Sequence, residues 1–128
     1  MELLAMDQRI EKITLMIEEN LHRELSLAWL AQAVNLSPSR MRHMFKTEVG
    51  ITPTQYMQRL RMQRAKELLE STFLQVKEVR CRVGVNDDSH FVQEFKRAYG
   101  QTPLRYRTCY LEFMSEHEEF ESDSHFRI

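Results

Sequence analysis

The sequence predicts an all-α chain of about seven helices, two helix-turn-helix subdomains joined by a long central helix. Three observations predict it. Gly and Pro number only three each among 128 residues, and no run of alternating β-branched residues reads as a strand. A helical stretch over residues 52–71 changes its apolar side halfway along. The pattern ahead of that stretch then recurs beyond it, displaced by 50 positions.

Residues 7–21 space Ile10, Ile13, Leu15, Ile17 and Leu21 amid acids, a helical period with a polar face. Ser26 is placed to cap a short helix over 27–34 whose Leu27, Leu30, Ala31 and Val34 share one side. Asn35 suits a left-handed turn position. Ser37 and Pro38 then restart a helix in which Met41, Met44, Phe45 and Val49 face inward. Its outer side is left to Arg40, Arg42, His43, Lys46 and Thr47. Two helices about a tight turn, the second longer and basic on its free face, make a helix-turn-helix.

Gly50 can end that helix, Thr52 can cap the next, Pro53 suits the first turn, and Gln55 can close a capping box. At about 100° per residue, Tyr56, Met57 and Leu60 cluster on one side. Met62, Ala65, Leu68 and Leu69 cluster roughly 130° further round. One surface helix needs one stripe, so two displaced stripes imply a strut that seals one small core with its first half and another with its second.

The repeat has two registers. Phe45, Lys46, Gly50, Thr52, Pro53 and Tyr56 return as Phe95, Lys96, Gly100, Thr102, Pro103 and Tyr106, each displaced by 50. Upstream, Leu27, Leu30, Val34 and Leu36 correspond to Val76, Val79, Val83 and Val85, displaced by 49. The second copy therefore holds one additional residue within Asn86, Asp87 and Asp88, where a turn absorbs it. Gly84 occupies the place of Asn35, and Asp87 or Asn86 can cap the helix that runs to Gly100. Phe91, Phe95 and Tyr99 form that helix's inward face, and a last helix runs from Thr102 to about Phe113. The expected division is residues 1–51 and 72–113 as the two subdomains, 52–71 as the shared helix, and 114–128 as a flexible acidic tail.

Charge is segregated. The formal net charge is −1, yet residues 1–26 stand at −3, residues 112–128 at −5, and the middle, 27–111, at +7. A basic middle between acidic ends is the footprint of a module that meets phosphates, although solvated helix faces account equally well for charge alone. Cys81 and Cys109 form no CxxC pair and no disulfide framework, so both read as small, buried or half-buried residues in a reducing compartment. No apolar run reaches bilayer length, and the first seven residues lack the basic start of a signal peptide. A soluble cytoplasmic protein is expected. Asp87, Asp88 and His90 imitate a metal site, but adjacent acids before a helix are far more often caps. No phosphate loop, catalytic triad or isolated carboxylate pair appears, and Trp29 and the methionines fit the cores, so no metal, cofactor or enzymatic activity is expected.

Three segments carry a family resemblance: Arg61-Met62-Gln63-Arg64-Ala65-Lys66-Glu67-Leu68-Leu69, then 83–91 from Val83-Gly84 to His90-Phe91, then 95–103 from Phe95-Lys96 to Thr102-Pro103. With Met44-Phe45-Lys46 and Gly50-Ile51-Thr52-Pro53 in the first copy, the chain over about residues 7–111 resembles the DNA-binding domain of the AraC/XylS family of bacterial transcriptional regulators. The resemblance implies a seven-helix domain with two helix-turn-helix units bridged by a long helix, placing both recognition helices in successive major grooves. It implies a double-stranded DNA operator as partner, at the nucleoid, and leaves RNA polymerase open as a second one. The oligomeric state stays open, with a monomer favoured. The chain departs from the family at Asn35-Leu36, where a Gly-aromatic pair is common, and in the acids Asp87, Asp88 and Glu94 of the second recognition helix. Family members usually carry a separate sensing or dimerising domain, so this chain is either a small stand-alone member or a piece of a larger regulator.

A recognition helix presents its N-terminal turns to base edges, which makes Ser39, Arg42 and His43 the base-facing candidates of the first copy. Asp88, Ser89 and Gln93 are their counterparts in the second. Arg42 suits a guanine and Gln93 an adenine, while Asp88 either accepts from a cytosine amino group or caps its helix. Arg40, Lys46, His90, Lys96 and Arg97 read as backbone contacts, with exposed helix histidine as the plain alternative for His43 and His90. The acidic ends and the acids of the second recognition helix leave one other function open, a helical protein-interaction adaptor that keeps the fold but not operator binding.

Overall fold

The computed structural model describes residues 6–126, with side-chain burial through residue 117. Seven helices and no strand occur among the described residues: α1 (Gln8–Glu19), α2 (Leu27–Ala33), α3 (Pro38–Val49), α4 (Pro53–Ser71), α5 (Val76–Arg82), α6 (Asp88–Tyr99) and α7 (Pro103–Phe126). The caps read from the sequence for α2, α3, α4 and α6 are formed. Asp7 caps α1, Ser26 caps α2, Ser37 caps α3, and Asp87 rather than Asn86 caps α6. Thr52 and Gln55 exchange two bonds, N–H to Oε1 at 3.1 Å and N–H to Oγ1 at 3.2 Å, and so close the capping box of α4.

The turns repeat as their sequence does. Asn35 and Gly84 both have positive φ, 58° and 82°, and Gly50 and Gly100 end α3 and α6 in the same left-handed region. After each short first helix the chain folds back by the same bond: Leu36 N–H donates to the Ala31 carbonyl at 3.0 Å and Val85 N–H to the Arg80 carbonyl at 3.2 Å.

The chain forms two compact units, Met1–Gln63 and Arg64–Ile128, and the division falls inside α4. In the first unit Ile10, Ile13 and Ile17 of α1 pack with Leu30, Ala31, Val34, Met41, Phe45 and Met57. Tyr56 and Leu60 of α4 lie half-buried against that core. Met62, Ala65, Leu68 and Leu69 are buried as well but are not among its members. In the second unit Val79, Val83, Val85, Phe91 and Phe95 are buried, and Phe95 meets Tyr99 and Tyr106 at centroid distances of 4.9 and 5.6 Å. Each loop that leads into a helix-turn-helix is held by an arginine. Arg61 donates to the carbonyls of Leu21 and Arg23 in one unit, and Arg107 to those of Leu69, Thr72 and Leu74 in the other.

Four expectations are corrected. The last helix does not stop near Phe113 but continues to Phe126, because nothing from 114 onward breaks a helix: no Gly or Pro occurs there. Residues 127–128 of the expected tail lie outside the described residues. Trp29 is 39% exposed rather than part of a core, since α2 buries Leu30 and Ala31 on another side, and the Arg23 guanidinium lies 5.5 Å over its ring. Leu15 is likewise turned outward from α1, and Cys81 is exposed on α5.

Candidate nucleic-acid interface

Burial of Met41 and Phe45 fixes which side of α3 is free. Ser39, Arg40, Arg42, His43 and Lys46 are all exposed. At about 100° per residue, His43 stands opposite the buried line, Ser39 and Thr47 lie about 40° from it, and Arg40 and Lys46 about 60°. Arg42 is the most lateral, roughly 100° round, and relies on the length of its side chain to reach the same side. The Thr47 hydroxyl is turned back to donate to the His43 carbonyl at 2.9 Å. The surface that remains is polar, cationic and without an anionic partner among the described residues.

In α6, Phe91 and Phe95 are buried and Ser89, His90, Gln93, Lys96 and Arg97 are exposed. Ser39, His43 and Lys46 thus have Ser89, Gln93 and Lys96 at the same helical positions, 50 residues on. Val92 stands where Arg42 does, so the second copy lacks the lateral arginine. Three of its charged side chains already face opposite charges. Arg97 Nη1 lies 2.8 Å from Glu94 Oε1, with the Glu94 side chain largely covered. Asp88 is not the helix cap, which is Asp87, whose Oδ1 accepts from His90 N–H at 2.7 Å. Asp88 instead lies 3.6 Å from Arg80 Nε of α5.

The α3 candidates occupy one exposed side with Arg42 at its edge, and Ser89, His90, Gln93, Lys96 and Arg97 share one exposed face of α6, whereas Asp88, about 140° round from Gln93, projects from the first residue of that helix. Sequence reasoning missed Arg80, which takes the place of Ala31 in the 49-residue register. That substitution, a long cation at a position that is small and buried in the first copy, was the available signal. Among the described residues no group of three or more His, Cys, Asp or Glu is placed to hold a metal ion, and no helix is long and apolar enough to cross a membrane.

Residues 30–108 match the family described as a helix-turn-helix domain. The arabinose operon regulatory protein of Escherichia coli (strain K12) is 33% identical over 103 residues, which cover 80% of this chain and 35% of that protein. The C-terminal domain of AraT, a response regulator from Geobacillus stearothermophilus, superposes with a TM-score of 0.77 at 31% identity, covering 81% of this chain and 87% of that one. The DNA-binding domain of the global transcriptional factor AdpA, in complex with a target DNA, superposes with a TM-score of 0.76 at 27% identity, covering 79% of this chain and 91% of that one. The chain spans less than half the length of the curated relatives it matches. Those relatives are regulators, which leaves the adaptor reading without support. By the match over most of its length, the chain belongs to the AraC/XylS family, through its helix-turn-helix domain.

Proposed function

We propose that the chain is a sequence-specific, double-stranded DNA-binding transcription regulator, with α3 and α6 entering successive major grooves. The observation that carries this reading is the repeated display of Ser39, His43 and Lys46 and of Ser89, Gln93 and Lys96 on the exposed faces of the two second helices. Ser39, Arg42, His43, Ser89 and Gln93 read base edges in the first turns of those helices, and Asp88 does so from the first residue of α6. Arg40, Lys46, His90, Lys96 and Arg97 hold phosphates and set the register. The excess of cations over 27–111 supports that division of labour. The protein acts without chemistry of its own, metal or cofactor, as a monomer on the cytoplasmic nucleoid, and RNA polymerase stays open as a second partner.

The test is a mobility-shift selection from random duplexes over several rounds. The expected product is a motif of two unequal, directly arranged half-sites whose centres lie about 34 Å apart, one turn of DNA. Recovery of no motif at moderate salt would overturn the proposal.

A further inference from the structure

Arg80 is the residue that nothing in the repeat prepares for. The first copy has Ala31 at this point, 1% exposed within the core. In the second copy the arginine's side chain is 11% exposed and crosses the turn between α5 and α6, the segment that holds the one additional residue of the repeat. Nη1 donates to the Val85 carbonyl at 2.8 Å. Nε is buried and completes no hydrogen bond; it stands 3.6 Å from Asp88 Oδ1, whose own side chain is 72% exposed. One end of the guanidinium is thus anchored to the turn, and the other faces a carboxylate that projects from the first position of the recognition helix.

A capping role does not explain Asp88, since Asp87 already satisfies the free N–H of His90. Nor is an exposed, isolated carboxylate well suited to a surface that meets phosphates, because it is repelled by them. A cation fixed behind it offsets that repulsion and restrains Oδ1, while the carboxylate as a whole remains exposed. The only base-edge groups that such an acceptor can bind in the major groove are amino donors, and the cytosine N4 amine is the one that a carboxylate suits.

We propose that Arg80 is a positioning residue that presents Asp88 to the cytosine amino group of a C·G pair in the second half-site. This rests on the DNA-binding reading above and adds to it a base identity and a residue on α5 that touches no DNA. An arginine serving only to staple the longer turn would stabilise the fold and leave base preference untouched.

The experiment takes the motif selected by the full chain and measures binding to duplexes varied one pair at a time across the second half-site. Asp88→Asn is expected to reduce a cytosine preference at one pair by about tenfold, with the other pairs unaffected. Arg80→Met is expected to lose preference at that same pair, and Arg80→Met with Asp88→Asn to lose no more than Asp88→Asn alone. The slope of log affinity against log salt should be unchanged in Arg80→Met, because a buried guanidinium neutralises no phosphate. If Arg80→Met does not fold, Arg80→Lys decides: its single ammonium cannot hold Val85 and Asp88 in the same arrangement, so preference at that pair should fall several-fold. The inference is overturned if no pair in the second half-site responds to Asp88→Asn, or if the folded Arg80 variant weakens all duplexes equally. Failure of the wild-type chain to select any motif would instead sink the DNA-binding reading itself.

Discussion

The phenol of Tyr56 donates to Glu18 Oε1 at 2.9 Å while its ring meets Phe45 edge-on, with centroids 5.5 Å apart. Fifty residues on, Tyr106 donates to Glu70 and meets Phe95 edge-on at 5.6 Å. Each recognition helix therefore has its central phenylalanine wedged by a tyrosine that is itself pinned to an earlier helix. Burial first, and then the bond to Glu18, push the Tyr56 hydroxyl up to about 12. Burial and Glu70 push Tyr106 up as well.

A pH dependence follows. The folded tyrosines titrate above their ordinary value of 10.0, so the stability they contribute is fully present below pH 10 and is lost as pH rises toward 12. Urea melts between neutral pH and pH 12 should show this loss, and Tyr56→Phe should reduce it in the first unit. At neutral pH the same substitution should cost about 0.5–1 kcal/mol, the worth of one partly exposed hydrogen bond. A Tyr56→Phe variant with an unaltered alkaline profile would show that Glu18 does not act through this hydroxyl.

Gly50 and Gly100 isolate a backbone effect. Their φ values are 94° and 79°, and a Cβ added at either meets nothing within 4 Å. Gly100→Ala should therefore lose about 1–2 kcal/mol from backbone strain alone. Gly100→Asn should lose less, since Asn35 already holds such a conformation at φ 58°. Denaturant midpoints compare them, and equal losses would point to a cause other than φ.

Salt separates the phosphate candidates. Lys46→Ala should lower the log–log salt slope by about 0.9, one phosphate's worth of counterion release. Arg97→Ala should lower it by less, because Arg97 already holds Glu94 at 2.8 Å. Filter binding across a range of salt concentrations measures both, and a larger change for Arg97 would reverse their order.

Arg42→Ala should relax preference at a single base pair of the first half-site and cost about 1–3 kcal/mol there. Its lateral position gives the test a second reading. Uniform weakening across all duplexes, with a smaller salt slope, would move Arg42 to the phosphate group.

Much of this was legible in the residues themselves. Helix ends were readable because caps act locally: Ser26, Ser37, Asp87 and the Thr52–Gln55 box need only their own neighbours. The free faces of α3 and α6 followed from Met41, Phe45, Phe91 and Phe95. A third register is harder to see in the residues. Ile10, Ile13, Ile17 and Glu18 return as Met62, Ala65, Leu69 and Glu70, displaced by 52, so the second half of α4 stands in its unit where α1 stands in the first. Apart from the glutamate, chemical identity is not kept in that pairing; burial and the tyrosine bond are, and these require coordinates. Arg80–Asp88 and Glu94–Arg97 were hidden for a related reason, since a charge count does not reveal which charges already face one another.

Trp29 gives the molecule an optical asymmetry. It is the chain's one tryptophan, it belongs to the first unit, and it lies partly exposed beneath the Arg23 guanidinium. Three of the four tyrosines, Tyr99, Tyr106 and Tyr110, belong to the second unit, where their rings neighbour one another. Red-edge fluorescence therefore reports one half and near-ultraviolet tyrosine dichroism chiefly the other. Unfolding followed by both signals on an unlabelled sample distinguishes a single cooperative transition, in which the curves coincide, from sequential loss of the two halves, in which they separate.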